Sequence, residues 1–321
     1  MSAHSATAAR APGAQEEFAR DVTAGLARPV KAISAKYLYD EAGSALFDRI
    51  CATPEYYPTR TEEGILRARA TEIAALTGQN ATLVEFGSGT SKKTRILLDT
   101  LGELHCYVPI DVAGDFLAAS CTALRAQYPR LRVVPVCADY MQLAALPHAA
   151  RLPAPLLGFF PGSTIGNLMP GEALQFLRNA AALLGGKGNF LVGVDTVKSQ
   201  AQLDAAYNDA QGVTAQFSLN LLARINRELD GDFERDHFRH VAFFNPAASR
   251  IEIYLESQRA QQVRVAGKSF AFARGERIHT EYSYKYSVDS FQRLARASGW
   301  QAAQAWTDAE GLFSVHLLQL A

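Results

Sequence analysis

An apolar run of strand length, Thr82 to Phe86, breaks into Gly87-Ser88-Gly89-Thr90-Ser91-Lys92-Lys93-Thr94, and no other stretch constrains the chain as strongly. Glycine has no Cβ, so the backbone can adopt positive φ and lie against a ligand, while free amides at the start of the next helix attract carboxylate or phosphate. Taken alone, the turn also suits an ordinary strand-to-helix connection. The third glycine of the dinucleotide fingerprint is missing, and Lys92 stands in its place. The neighbouring chain gives the turn its context. Strand-length apolar runs recur at 106–111, 131–137, 156–160 and 190–194, and helical spacing fills 93–101, 115–128 and 171–184. Alternating strands and helices require crossovers, which means a parallel, doubly wound α/β sheet. Such sheets bind ligands beyond the carboxyl ends of their strands, where Gly87, Asp111, Asp139 and Asn167 all fall.

After Asp195 the rhythm changes. Two helical patterns, 199–211 and 214–228, follow one another, and the second carries Phe217, Leu221, Leu222 and Ile225 on one face. The segments 250–258, 261–265, 268–273 and 276–286 then alternate polar and apolar residues like a half-exposed antiparallel sheet. A helix at 290–298 and a hairpin of 301–307 and 313–320 around Asp308-Ala309-Glu310-Gly311 complete the first sheet. The middle segment therefore reads as an insertion.

The 321 residues, 48% hydrophobic, can bury a large core, and 32 basic residues balance 32 acidic ones. No overall field gathers nucleic acid or an anionic membrane, so a small neutral or zwitterionic ligand fits better. Cys51, Cys106, Cys121 and Cys137 form no C-x-x-C pair and read as reduced, buried thiols of a cytoplasmic protein. Residues 1–14 read as a loose, disordered tail without a signal peptide, and no apolar run reaches the roughly 18 residues of a membrane span. The seven histidines show no metal pattern; His237 and His240 read as a solvated helix face, and no metal is expected.

Several polar residues stand where a ligand would meet them. Asp111 ends the second strand at the distance from the glycines where an acid grips ribose hydroxyls. Asp139-Tyr140 suits an adenine edge and face, or else Asp139 caps a helix. Asn167, in the small-residue run 160–168, offers an amide donor and acceptor to a site, although local sequence favours a cap for a helix starting near Pro170. Tyr37, Tyr39, Tyr56 and Tyr57 cluster before the first strand, where Pro54-Glu55-Tyr56-Tyr57-Pro58 reads as extended. Glu281 and Ser283, two apart on a strand, share a face and form an acceptor pair suited to a planar group with two N–H or N sites, such as imidazole or guanidinium, or else are outward, solvated positions.

In order, Lys36-Tyr37-Leu38-Tyr39-Asp40, Pro54 to Glu62, Glu85 to Thr94, Gly162 to Leu168, Ala205 to Ala210 and Thr280-Glu281-Tyr282-Ser283 resemble the histidine-specific Nα-methyltransferases of ergothioneine biosynthesis, from about residue 20 onward. The resemblance implies a Rossmann-like S-adenosylmethionine-dependent methyltransferase core at 61–196 plus 287–321. An inserted α+β substrate-binding domain would comprise 15–60 plus 197–286. It implies trimethylation of the α-amine of L-histidine to hercynine, by a monomer without nucleic-acid or membrane partners. Residue by residue, it implies Gly87, Lys93, Asp111, Asp139 and Tyr140 for the cofactor. Tyr56, Asn167 and Tyr207 would hold the amino-acid carboxylate and amine, Tyr39 would stand near the amine as a catalytic residue with Asn167, and Glu281 and Ser283, with Tyr282 between them, would receive the imidazole. The sequence departs from the family's pattern at Tyr282, Tyr284 and Ile253, which bear on selectivity. The alternatives are an Nα-methyltransferase for a thiohistidine or tryptophan derivative, a nicotinamide-dependent oxidoreductase, and a non-catalytic amino-acid sensor.

Overall fold

The computed structural model describes residues 12–78, 81–89, 92–101, 104–146, 152–186 and 188–320. Thr90 and Ser91 of the glycine turn, and residues 1–11 of the expected tail, lie outside the described residues. The helices are α1 Pro12–Leu26, α2 Glu41–Cys51, α3 Tyr57–Thr77, α4 Lys92–Thr100, α5 Gly114–Gln127, α6 Pro170–Leu184, α7 Gln200–Tyr207, α8 Val213–Leu229 and α9 Val288–Ala297. Residues 12–14, expected in the tail, instead open α1. The chain divides into two compact units. One, here the sheet unit, comprises Cys51–Tyr207, Phe244–Ile251 and Tyr282–Ala321; the companion unit comprises Met1–Ile50, Asn208–Phe243 and Glu252–Glu281.

In the sheet unit, β1 Thr82–Phe86, β2 Cys106–Asp111, β3 Arg132–Val133, β4 Val136–Cys137, β5 Leu156–Phe160, β6 Asn189–Asp195, β12 Trp300–Thr307 and β13 Phe313–Leu320 form one sheet. Its order is β12-β13-β6-β5-β1-β2-β3, with β4 also beside β2. The pairs from β6 to β3 are parallel, and β13 runs antiparallel between β6 and β12. The single strand expected over 131–137 is two short ones, because Pro135 has no N–H to offer the ladder and interrupts it. Every residue of β1 is buried. Leu83, Tyr107, Leu157 and Leu191 pack on one face with Ile65 and Leu66 of α3, Leu97 of α4 and Leu117 of α5. Val84, Phe86, Val108 and Phe160 pack on the other with Phe176 of α6 and Phe291 of α9. Helices on both faces explain why these strands read as continuous apolar runs rather than alternating ones.

His316 of β13 lies between β12 and β6, against the Phe291 ring at 4.7 Å, with Nε2 3.0 Å from Ser314 Oγ. Burial pushes its pKa down from 6.5 to about 4. Unfolded protein therefore takes up this proton first as the solution is acidified. Stability is whole above about 6.5 and falls as pH drops from there towards about 4, by about 3 kcal/mol from this side chain. Urea titrations across that range should show the slope in the wild type and a flatter profile in H316L; parallel profiles would remove His316 as its source.

In the companion unit α8 buries Phe217, Leu221, Leu222 and Ile225, the face its spacing predicts. Arg224, on the same helix, is buried as well; its Nη1 donates to the Tyr37 carbonyl at 2.8 Å and its guanidinium lies 4.8 Å from the Phe18 ring centre. The strands that follow are β7 Phe238–Asn245, β8 Arg250–Ser257, β9 Gln261–Val265, β10 Lys268–Phe272 and β11 Arg277–Tyr284. They form a three-stranded sheet, β11-β8-β7, and the hairpin β9-β10. Ala266 and Gly267, both at positive φ, make the two-residue turn of that hairpin, which matches strand twist. The segment holding His237 and His240 is not a helix face. His237 closes a short 3-10 turn and His240 lies in β7, its Nδ1 3.0 Å from Ser218 Oγ. Charged neighbours disguised a strand that is specified by its pairing with β8. Between Glu281 and Tyr282 the chain of β11 passes from the companion unit to the sheet unit.

Candidate active site

The carboxyl ends of β1, β2, β4 and β5 in the sheet unit carry the first cluster. The N–H groups of Gly87 and Ser88 both donate to the Ile110 carbonyl, at 2.8 and 3.2 Å, which curls the turn over the end of β2. Gly87 and Gly89 have φ of 75° and 46°, the left-handed region that glycine alone enters without strain. Asp111 locks the turn: its Oδ2 accepts from the Gly89 N–H at 3.0 Å and its Oδ1 from the Ala113 N–H at 2.9 Å. Asp139 makes a tight turn by accepting from the Met141 N–H at 2.9 Å, and no helix starts there. The Tyr140 ring sets its edge against Phe160 and Phe176, at 5.5 and 5.4 Å, and the space beside Gly87 faces it. Among the described residues the Ser88 hydroxyl is buried without a hydrogen-bond partner.

Beneath this turn lies a buried carboxylate that sequence reading did not single out as polar machinery. Glu62 of α3 is 0% exposed; both its oxygens accept from the Gly162 N–H, at 3.0 and 2.9 Å, and Lys93 forms an ion pair with it. The Lys93 ammonium, expected at the cofactor, thus closes on Glu62. Gly193 on β6 admits this carboxylate, since a Cβ there would overlap Glu62 Oε1. Glu85, at the end of β1, is also buried and accepts from Thr94 Oγ1 at 2.6 Å and from the Tyr107 hydroxyl, tying α4 to the sheet. Burial pushes its pKa up to about 8.

A second cluster forms around the end of β6. Asp195 accepts from the Tyr57 hydroxyl at 2.8 Å, from Lys198 Nζ at 2.6 Å and, at its other oxygen, from Lys285 Nζ at 2.6 Å. Burial acts to raise this carboxyl, but the two ammonium groups hold it below its usual range. Burial lowers Lys198 to about 8 against the pull of Asp195. Lys285 Nζ also donates to the Tyr207 hydroxyl at 2.8 Å and to Ser283 Oγ at 2.9 Å, and those two oxygens are 2.9 Å apart. The Tyr56 ring stands edge-on to Tyr207 at 6.2 Å. The Asp195 N–H donates to Ser163 Oγ at 2.9 Å, and Gly166 packs so closely on the Tyr284 backbone that a Cβ would clash. The loop bearing Asn167 is thereby fastened to β6 and to β11.

The cap of α6 is Met169, so Asn167 is not the cap its local sequence favours; it ends a 3-10 turn, half-buried, and its amide makes no hydrogen bond among the described residues. Tyr56 immediately precedes α3, which starts at Tyr57 with Pro58 in its first turn, so 54–58 is a helix entry rather than an extended run. Tyr56, Tyr207, Ser283 and the Asn167 loop are brought together within the sheet unit. Tyr282 projects to the opposite face of β11 from Ser283, where the Arg250 guanidinium lies 3.7 Å from its ring centre. Tyr39 and Glu281 belong to the companion unit, where Tyr39 sets its ring edge against Phe47 and Phe217 at 5.6 and 5.4 Å. Among the cysteines, Cys106 and Cys121 are buried as expected, but Cys51 is half-buried and Cys137, the last residue of β4, is exposed.

Residues 18–320 match the family described as histidine-specific, S-adenosylmethionine-dependent methyltransferases. The chain belongs to this family. It is 44% identical to the histidine N-alpha-methyltransferase of Mycolicibacterium smegmatis over 96% of each chain, and 44% identical to that of Mycobacterium tuberculosis over 93% of each. It is 29% identical to ergothioneine biosynthesis protein 1 of Neurospora crassa over 88% of this chain and 32% of that much longer protein. The first cluster suits the methyltransferase cofactor. Positive-φ glycines leave backbone open to a ligand, the lone Ser88 hydroxyl lies in the same turn, and each Asp111 oxygen retains a lone pair after its backbone bond. Asp111→Ala is expected to weaken binding of S-adenosylhomocysteine by about 10- to 100-fold, the worth of a hydrogen bond to a charged acceptor. Calorimetry measures this directly, and wild-type affinity in the variant would exclude Asp111 from the ribose.

Proposed function

We propose that this chain transfers methyl groups from S-adenosylmethionine to the α-amine of L-histidine, three in succession, giving hercynine. The observation that carries the reading is 44% identity, over 96% of both chains, to a histidine N-alpha-methyltransferase. When bound, the cofactor supplies an electrophilic methyl group on a sulfonium. The protein is asked for position and dryness rather than for a nucleophile. In this reading Gly87, Asp111, Asp139 and Tyr140 hold the cofactor, and Lys93 supports their turn through Glu62. Tyr56, Asn167 and Tyr207 receive the amino-acid carboxylate and amine, with Tyr39 at the amine. Hydroxyl and amide groups can contact an amine while leaving its lone pair to attack, which repeated methylation requires. Glu281 and Ser283, on one face of β11, receive the imidazole; Tyr282, held under Arg250 on the other face, contributes through packing.

We further assign the enzyme to the cytoplasm as a monomer acting on the free amino acid. A reducing compartment keeps thiols such as Cys51, Cys106, Cys121 and Cys137 out of disulfides. Incubation with S-adenosylmethionine and each of the twenty amino acids, followed by mass spectrometry, tests the reaction. The expected product is trimethylated histidine alone, with its methyl groups on the α-nitrogen. Turnover of a different amino acid in preference, or methyl groups on the ring, would overturn the assignment.

A further inference from the structure

Lys285 has no part in the roles assigned so far, yet it sits behind two of the residues that carry them. It is 3% exposed, and its ammonium has three donors and no acceptor. Those three donors meet Asp195 at 2.6 Å, Tyr207 at 2.8 Å and Ser283 at 2.9 Å. The Tyr207 and Ser283 oxygens must therefore each give a lone pair to Lys285. Asp195 holds the ammonium in place and is itself held by Tyr57 and Lys198, so the cluster contains two ammonium groups for one carboxylate. Its field is positive. The two hydroxyls also share one hydrogen across their 2.9 Å contact. With Tyr207 as its donor, Ser283 Oγ accepts from both Lys285 and Tyr207, so another N–H donor finds no lone pair there and the Ser283 hydrogen is left to meet an acceptor atom.

We infer that Lys285 is a positioning residue that, together with Tyr207, fills the acceptor sites of Ser283 Oγ and makes this hydroxyl a hydrogen-bond donor to an unprotonated ring nitrogen of the amino acid. This rests on the reading that histidine is the substrate. The ring selected at Ser283 is the neutral imidazole, and a ring with N–H and C–H groups but no acceptor nitrogen is refused. The sequence places Lys285 on the same side of the chain as Ser283, two residues on, but only the fold supplies Asp195 and Tyr207.

The test compares histidine with the two pyrrolylalanines, which keep one ring N–H and replace the acceptor nitrogen with C–H. The wild-type enzyme is expected to favour histidine by at least about tenfold in kcat/KM, the worth of one hydrogen bond; equal use of the pyrroles overturns the inference with no variant involved. Lys285→Met is expected to raise the histidine KM at least about tenfold and to narrow the preference over pyrrole, with S-adenosylhomocysteine affinity unchanged. Lys285→Arg, which keeps charge and donors, should retain the preference. If Lys285→Met leaves KM and preference as in the wild type, or if Lys285→Arg loses the preference to the same degree, Lys285 does not set hydroxyl polarity. Should Lys285→Met not fold, the triple variant Asp195→Asn/Lys198→Met/Lys285→Met removes all three charges of the cluster together and is read in the same way. A wild-type enzyme that leaves histidine unmethylated defeats the functional reading itself; one that methylates it while Lys285→Met is silent defeats only this inference.

Discussion

Replacing Asp195 with alanine is expected to destabilise the protein by about 3–5 kcal/mol, because it leaves Lys198 and Lys285 buried without their shared counter-charge. The loss is not that of a surface ion pair, which is worth about 1 kcal/mol or less. Both lysine side chains are almost wholly enclosed, at 5% exposure for Lys198 and 0% for Lys285. Urea unfolding of the variant measures the cost, and a loss of under about 1 kcal/mol would show that water already solvates the cluster. A triple replacement of Asp195, Lys198 and Lys285 by apolar residues should recover most of the loss, since an enclosed ion cluster contributes little net stability compared with packed hydrocarbon. The carboxyl titrates below its ordinary 3.8, so its contribution is in place above that pH and disappears only on further acidification, below the window assigned to His316.

Glu281→Ala is expected to lower kcat/KM for histidine by about 10- to 150-fold, the equivalent of a charge-assisted hydrogen bond worth about 1.5–3 kcal/mol. Cofactor affinity should remain at its wild-type value, because the residues proposed for the cofactor all lie at the carboxyl ends of strands in the sheet unit. Calorimetry with S-adenosylhomocysteine followed by histidine separates the two bindings. Histidine affinity unchanged by the substitution would remove Glu281 from substrate recognition and leave the imidazole without an acidic partner.

The parallel half of the fold was legible because burial on both faces writes itself into sequence as uninterrupted apolar runs. The bounds of β1, β2 and β5 are those the sequence predicts, and the hairpin of β12 and β13 joins the first sheet as expected. The ends of those strands then singled out Gly87 and Asp111 as candidates, since ligand position follows from topology. The first 77 residues were less readable. Alanine-rich α1 looks like a tail at its start, and the tyrosines around Pro54 and Pro58 conceal the start of α3. β7 was hidden because its flanking charges suit a helix surface as well as a strand, and only pairing with β8 distinguishes them. In the candidate site the hidden part is the support. Tyr57 meets Asp195 across 138 positions of chain and Lys285 meets Tyr207 across 78, distances over which spacing carries no signal. A lysine in a strand is ordinarily read as facing solvent, and nothing local marks Lys285 as enclosed.

The placement of β13 between β6 and β12 bears on how the molecule is made. On a ribosome β6 emerges more than 100 residues before its antiparallel neighbour, so Phe190, Leu191, Val192 and Val194 wait beside an unfilled row of backbone donors and acceptors. An open apolar strand of this kind invites pairing with other nascent chains. The cofactor turn can form early, but the sheet that anchors it stays adhesive until residues 313–320 are translated, which makes this interval the one in which a chaperone has most to shield.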